Sequence, residues 1–573
     1  MHRELAELRM LCVLHTAVRK LNMHHSSDGR MLQSRVANLV CLLLIAVAVF
    51  LLFKTSPTQG DFWWSDAPRH AMDGIFYYDM ARAMPITHPK QWAINYYLQY
   101  PAVTVLTYPP LFALVEAVFF ALFGVSHATA QLTVSAFYLA AAWGVYFLAR
   151  RWLSRIAALA TALLFASTPA IALWGRQVML EVPTFAFLLW SAYFFFLYLD
   201  SNRPRYLYFA VLAVLGAAYT KQPAVFIVLP YLLTLYFVYR NSLFRRKEAW
   251  WAAALFAAAL VPLTIYTWLW GRANVQQAVV GGAWVHSSRL SAKTWSYVAS
   301  YEWPLQMGWV VLTLAAVYCV GCIFKKDWRL PNTALFFLVV WVLSGYIFFT
   351  AIAVTSQRYT IFLVFPFVLF AILAIVRALP AKIAAYVALV FAVSSLGYTL
   401  VKRHVPRITG YREAAHYVCT LAPADSVVMF SGWRDGSFVF NVRVLQECKN
   451  LTVIRADKLL LRVAIHRDLF GVKELGVSEE RLKWMLGHFG VHYIVVEPEF
   501  WNDLQSMQML VRVVHQDQFK LLTTISAVNN REHNGSQLEI YENLAPLSQG
   551  KNVLRVELPV SGIAVEGKVG QDK

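Results

Sequence analysis

Within an otherwise strongly apolar chain, one short run concentrates acids, bases and aromatics: Asp61-Phe-Trp-Trp-Ser-Asp66-Ala-Pro-Arg69-His70-Ala-Met-Asp73-Gly74. It follows closely on Val36–Phe53, an uncharged stretch of about the length needed to cross a hydrocarbon core. Further charges stand near the ends of later apolar segments: Arg176, Glu181, Lys221, Arg289 and Arg358. Charged groups near membrane depth are costly and usually have a partner or a task. Arg offers a phosphate a fork of donors and Lys a point charge, while a carboxylate can take a proton from an acceptor hydroxyl or amine. Such a set could receive a lipid-linked phosphate, with its tail in the bilayer and its head against these side chains. The bland alternative is that juxtamembrane Arg and Trp anchor helix ends and that Asp beside Arg is a structural ion pair. Asp66 fits that alternative least. Glu181 opens an apolar helix beside Arg176 and has no anchoring rationale, although an acid also suits a helix dipole there. For Lys221 both readings stay open.

The elements that must position these residues are membrane helices. The 573 residues are 59% hydrophobic and only 14% charged, with a mean hydropathy of +0.50, outside the usual soluble range. Eleven apolar segments follow the first, near Leu111–Val125, Ala128–Ala149, Ile156–Leu173, Phe185–Leu199, Leu207–Tyr219, Ala224–Tyr239, Trp251–Trp270, Leu305–Phe324, Thr333–Ala353, Ile361–Val376 and Ile383–Val401. The net charge of +19 does not point to nucleic acid, because the basic residues sit in short clusters between these segments, as cytoplasmic loops do. Arg150-Arg151 with Arg155, Arg203 with Arg205, Arg240 with Arg245-Arg246-Lys247, Lys325-Lys326 with Arg329, and Arg377 with Lys382 fall at alternate connections. They are expected inside, and the charged run after Phe53 outside. Two apolar segments lie between that run and Arg150, so the short one, Leu111–Val125, is expected to lie along the membrane or re-enter, giving eleven crossings.

Beyond about His404 the pattern changes to short strands such as Ser426–Phe430, Leu451–Ile454 and Tyr493–Glu497, alternating with helical patterns at Arg412–Leu421 and Glu479–Gly490. That alternation reads as a small α/β domain. Cys419 and Cys448 both fall within it, either as a disulfide in an oxidising compartment or as two buried thiols. The expected organisation is a cytoplasmic segment 1–35, a transmembrane domain 36–401 with an outer loop 54–107, and an extracytoplasmic α/β domain 402–573.

The order of motifs resembles a known group. Ser65-Asp66-Ala-Pro-Arg69-His70-Ala-Met-Asp73-Gly74 is followed by Tyr108-Pro-Pro-Leu111, Leu122-Phe-Gly124, Arg150-Arg151, Gly175-Arg176-Gln-Val-Met-Leu-Glu181-Val-Pro183, Thr220-Lys221-Gln222 and Gln357-Arg358-Tyr359. Over roughly Val36 to Val401 it is similar to the polyprenyl-phosphate-sugar-dependent glycosyltransferases of the GT-C fold, the group with the protein O-mannosyltransferases and the aminoarabinose transferases. The resemblance implies inverting transfer of a sugar from a lipid phosphate carrier to a protein, lipid or glycan acceptor at the outer face of a bacterial inner membrane. It implies Asp66 as the base or acceptor-orienting acid and Glu181 as a second acid. It also implies donor-phosphate or substrate contacts for Arg69, His70, Tyr108, Arg176, Lys221, Gln222, Arg358 and Tyr359, with His286 and Arg289 in a later outer loop.

The departures matter too. Where many relatives carry Asp-Glu in the first loop this chain has Asp66-Ala67, and where aminoarabinose transferases carry Glu-Lys it has Thr107-Tyr108. The acidic metal ligand of those transferases is therefore missing, so no required metal is expected. Two other classes compete with an enzyme: a lipid or sugar transporter or flippase, which favours repeated halves and helices broken near the midplane, and a non-catalytic scaffold on the same frame.

Overall fold

The computed structural model describes residues 27–271, 275, 291–352, 358–448, 450–463, 467, 471–531, 535–545, 552–558 and 563–568. The first helix, Ser27–Lys54, illustrates why the bundle needs a bilayer. Ala37, Cys41, Ile45, Ala48 and Leu52 are buried against other helices, whereas Val36, Leu39, Leu43, Val47 and Phe50 are each about half exposed. Both faces are apolar, and the outward one belongs in hydrocarbon, where a helix also satisfies its own backbone. The small residues on the inward face allow close approach to neighbouring helices.

Among the described residues, eight helices are long and apolar enough to cross a membrane: Arg35–Lys54, His127–Ala149, Glu181–Ser201, Gln222–Arg245, Lys247–Leu269, Asn332–Ala351, Thr360–Ala378 and Ala381–Lys402. A bent pair, Ala292–Met307 with Trp309–Phe324, adds a ninth candidate, and Leu111–Phe123, Arg155–Ser167 and Pro204–Ala218 are shorter apolar helices. The chain is an integral membrane protein. Every apolar segment found in the sequence is helical, but two expected continuous spans are broken. Thr168 adopts an extended conformation before Pro169 and ends Arg155–Ser167, as residues preceding proline tend to. The expected span from Leu305 is cut at Gly308, whose φ of 82° suits glycine, and the helix direction bends there by 115°. Leu111–Phe123, expected not to cross, is a helix of 13 residues, about 20 Å long at 1.5 Å per residue.

The C-terminal domain is built on a six-stranded sheet. Its strands are β1 (Ile408–Thr409), β2 (Val427–Ser431), β3 (Thr452–Arg455), β6 (Val491–Val496), β7 (Phe519–Asn529) and β8 (Ser536–Asn543), in the order β1-β7-β8-β6-β2-β3. Strand β2 runs parallel to β3 and β6, and the remaining pairs are antiparallel. Two hairpins complete it, β4 (Leu461–Val463) with β5 (Val472–Glu474) and β9 (Val553–Leu558) with β10 (Ile563–Lys568). Alternation along the strands divides the domain into two cores. Val428, Phe430, Tyr493 and Val495 pack with helices Tyr411–Leu421 and Asp435–Val444 in the same cluster as the membrane helices. Val427, Met429, Ile494 and Val496 pack on the other face, with Glu479–His488 and Gln505–Val514.

Polar contacts seat this domain on the chain between Lys54 and Leu111. The backbone N–H groups of Tyr411 and Arg412, at the start of a helix, donate to Asp61 Oδ2 at 2.9 and 3.1 Å, and Asn441 Nδ2 donates to Asp61 Oδ1 at 2.8 Å. Arg69 grips Asp435 through both terminal nitrogens. Arg443 pairs with Asp79 at 2.5 Å.

Cys419 and Cys448 are joined in a disulfide, the first of the two alternatives above, which ties the helix beneath Asp61 to the chain leaving Asp435–Val444. Closing a loop of 29 residues should stabilise the domain by about 3.6 kcal/mol in the chain-entropy account. The Cys419→Ala/Cys448→Ala variant is expected to unfold the C-terminal domain at a clearly lower urea concentration. An unchanged midpoint would mean that the bond contributes nothing.

Candidate active site

Asp66 stands at the N-cap of helix Ala67–Ala83, with Pro68 in the first turn, where proline fits because its missing N–H would be unpaired anyway. An aspartate in that position ordinarily accepts from the helix's own N–H groups. Here its side chain makes no capping bond. Instead, Arg358 Nη1 donates to Asp66 Oδ2 at 2.8 Å. The carboxylate keeps 26% of its side-chain surface exposed, so it is pinned by the ion pair yet open to a ligand.

Arg358 also brings its Nε to 3.9 Å from Glu181 Oε1, the same oxygen that Lys221 Nζ meets at 2.6 Å. The Glu181 side chain is 1% exposed, and its Oε2 is buried without a hydrogen-bond partner. Asp66 and Glu181 thus balance Arg358 and Lys221, two charges against two, with one carboxylate oxygen unspent. Aromatic rings wall the cluster. Trp174 lies 5.9 Å from the Arg358 guanidinium, Trp64 packs on Trp174 at 4.9 Å, and Lys221 Nζ stands 5.3 Å over Tyr359. His70, one turn after Asp66, sets its ring edge-on to Tyr108 at 4.6 Å.

Local structure explains the convergence. Asp66 and Glu181 begin helices Ala67–Ala83 and Glu181–Ser201. Lys221 precedes the 3-10 turn Gln222–Ile227 that leads into Val228–Tyr239, and Arg358-Tyr359 precede the similar turn Thr360–Leu363 that leads into Val364–Ala378. All four charges therefore stand at helix N-termini, whose partial positive charge favours an anion. Tyr266 holds the connecting loop by donating to the carbonyls of Val105 and Tyr108 at 2.7 and 2.8 Å.

The charges titrate as their surroundings dictate. Burial alone would raise the Asp66 carboxyl, but Arg358, His70 and Arg69 outweigh it and hold the group well below the usual carboxylate range. Burial lowers His70 to about 4 against the pull of Asp66 and Glu181, so the imidazole is neutral at neutral pH. Burial raises Asp61 and Asp73 to about 7, despite the bonds Asp61 accepts from the Tyr411 and Arg412 backbone and those Asp73 accepts from Thr104. Asp73 takes bonds from the Thr104 N–H and hydroxyl at 2.5 and 2.8 Å. Beside it Glu116, fully buried, leaves both carboxyl oxygens without a partner. A side chain at Gly74 would strike Glu116, since a Cβ there falls 2.4 Å from its Oε2.

The structure gathers Asp66, His70, Tyr108, Glu181, Lys221, Arg358 and Tyr359 into one place, with Gln222 adjacent to Lys221 and half-buried. Two expected donor contacts lie elsewhere. Arg69 faces the C-terminal domain and is held by Asp435. Arg176 donates to the carbonyls of Ala172 and Arg403 and to the Thr55 hydroxyl, so it ties three chain segments together. His286 and Arg289 lie outside the described residues. Trp174, two positions before Arg176, and Tyr266 carry no signal in the sequence that distinguishes them from other interfacial aromatics. Among the described residues, no group of three His, Cys, Asp or Glu side chains is arranged to hold a metal.

Residues 107–266 match the family model described as dolichyl-phosphate-mannose-protein mannosyltransferase. No curated protein sequence matches the chain significantly. Among solved structures, ArnT from Cupriavidus metallidurans bound to undecaprenyl phosphate aligns at TM-score 0.54 and 14% identity, over 90% of this chain and 98% of that one. Its apo state aligns at TM-score 0.56, again at 14% identity, over 90% and 100%. Arabinofuranosyltransferase AftD from Mycobacteria aligns at TM-score 0.52 and 16% identity, over 90% of this chain but 42% of its own. The chain thus shares the fold of these membrane proteins, a helical membrane core with a C-terminal domain.

Two outcomes follow from this geometry. Arg69→Gln should loosen the C-terminal domain by about 2 kcal/mol, the order of a charged hydrogen bond, seen as a lower unfolding midpoint in urea. An unshifted unfolding midpoint would contradict that. Asp61 and Asp73, whose folded values of about 7 exceed the ordinary value of 3.8, keep their protons on folding while the unfolded chain loses them. Their contribution to stability should therefore fall as pH rises from about 4 to about 7. Asp73→Asn should make the unfolding midpoint less sensitive to pH in that window, and an unaltered pH dependence would remove Asp73 from the account.

Proposed function

We propose that the protein is an inverting glycosyltransferase that moves a sugar of the hexose or mannose type from a polyprenyl-phosphate carrier to an acceptor. We take the reaction to occur on the extracytoplasmic face of a bacterial plasma membrane. The observation that carries this is the Arg358 fork, which binds Asp66 on one edge and approaches Glu181 and its partner Lys221 on the other. The carrier phosphate would take Lys221 and Arg358 as counter-ions, leaving the Asp66 carboxylate free for the acceptor. Asp66 would accept the proton of the acceptor hydroxyl or amine as the acceptor atom bonds to the anomeric carbon on the side opposite the carrier. The bond from that carbon to the phosphate oxygen breaks, and its electron pair leaves with the carrier, stabilised by the two cations. Glu181 keeps Lys221 charged and oriented, and His70, neutral beside Asp66, completes the acceptor side.

The low titration of Asp66 suits a residue that stays ionised until the acceptor arrives. Lys221 and Arg358 provide the charge that leaving-group departure requires, so the reading needs no metal. The match of residues 107–266 to a dolichyl-phosphate-mannose-dependent family supports a hexose donor, and the undecaprenyl phosphate bound by ArnT supports the lipid carrier. The basic clusters at alternate connections support the sidedness.

Purified protein in lipid, given labelled polyprenyl-phosphate hexose and a membrane extract as acceptor, should transfer label. Asp66→Asn should reduce transfer by at least about a hundredfold, the scale of a lost general base, while still binding the donor. Full activity in the variant, or no transfer from any hexose donor by folded wild type, would overturn the reading.

A further inference from the structure

A second polar site lies at the opposite end of the helices that build the first. Helix His127–Ala149 starts beside the first loop, where His127 Nδ1 is 3.2 Å from the Gly60 carbonyl oxygen, and ends at Arg150. Helix Glu181–Ser201 starts at the site carboxylate and has Asp200 in its last turn. With 23 and 21 residues, these helices span roughly 30–35 Å, a full hydrocarbon thickness.

At that far end a pocket of about 310 Å³ is lined by Asn38, Tyr146, Phe147, Arg150, Arg151 and Tyr193. Its donors outnumber the acceptors that the protein gives them. Arg150 donates Nη1 to the Leu153 carbonyl at 2.7 Å, which leaves most of a five-donor fork for a ligand. Arg151 pairs one edge with Asp200 and the Phe196 carbonyl, while its Nε is buried without an acceptor. The Asn38 side-chain oxygen accepts from the Tyr146 hydroxyl and from Arg155 Nε, both at 2.9 Å, which turns the amide nitrogen into a further donor. Two arginines therefore line a concave space holding few acceptors, and a third, Arg155, reaches its edge through Asn38. Phe147 and Tyr193, 5.7 Å apart, form an aromatic wall. On the first helix Val36, Leu39 and Leu43, each more than half exposed, flank Asn38.

We propose that this pocket binds the phosphate head of an anionic membrane phospholipid, in the leaflet opposite the candidate active site. The donors fit phosphate oxygens, which Arg recognises with its planar fork, and basic pockets between helices at the membrane surface suit acidic lipid head groups. The apolar stripe beside Asn38 supplies the path for the acyl chains, which inorganic phosphate would not need. Occupancy would fix the inner ends of helices Ser27–Lys54, His127–Ala149 and Glu181–Ser201 around one anion and set the depth at which the bundle sits.

The test places wild type, Arg150→Gln and Arg151→Gln in bilayer nanodiscs of mixed phosphatidylglycerol and phosphatidylcholine. Native mass spectrometry then counts the lipids that stay bound, and thermal unfolding checks that each variant is folded. Wild type should retain phosphatidylglycerol in preference to phosphatidylcholine. Each variant should retain about tenfold less, the effect of losing one charge-assisted contact, and Arg150→Lys should recover part of it. Equal retention by wild type and the folded variants, equal retention of the two lipids, or displacement of the lipid by an equal concentration of inorganic phosphate would each overturn the proposal.

Discussion

Two acids and two bases held together at the edge of the bilayer are the constraint around which this structure is arranged. Isolated ions are expensive in that setting, and the protein meets the cost by sharing. Glu181 Oε1 serves Lys221 and approaches Arg358, and Arg358 serves Asp66. The four residues come from segments nearly three hundred positions apart, so the arrangement exists only when the bundle has assembled. Each stands where a helix begins, and two of those helices start with a 3-10 turn that places the charge ahead of the apolar run. The helix interiors stay apolar while their ends carry the chemistry.

The charged segment after the first helix has two loyalties. Asp66 and His70 turn toward the ion cluster, whereas Asp61, Arg69 and Asp79 turn toward the C-terminal domain. One short stretch therefore carries the candidate base and also the seat of the second domain. Asp61 accepts from the first N–H groups of helix Tyr411–Leu421, so a residue of the membrane domain caps a helix of the other. Position of the domain and position of the base are coupled through the rigid helix Ala67–Ala83, and the disulfide at Cys419 and Cys448 stiffens the far side of that contact.

Much of this was legible in the sequence, for physical reasons that also mark the limits. Long uncharged runs can only be membrane helices, and the alternating strands after His404 matched the observed sheet at Val427–Ser431, Thr452–Arg455 and Val491–Val496. Asp66, Glu181, Lys221 and Arg358 stood out because charge beside an apolar run needs a reason, and the structure brings them together. Arg69 and Arg176 stood out on the same ground, yet one meets a carboxylate of the other domain and the other meets backbone carbonyls. An arginine's sequence context does not say which acceptor it will find, because that depends on contacts made hundreds of residues away. The breaks at Thr168 and Gly308 are set by a single proline and a single glycine, and hydropathy alone smooths over both.

The central claim is that Lys221 and Arg358 are held ready for a phosphate by Glu181 and Asp66. The most direct measurement is an experimental structure of the protein in lipid with a polyprenyl phosphate bound. The account predicts the phosphate within hydrogen-bond distance of Lys221 Nζ and the Arg358 guanidinium, with Asp66 released from its ion pair. A phosphate bound at Arg69 or Arg176, with the four-residue cluster unchanged, would contradict it.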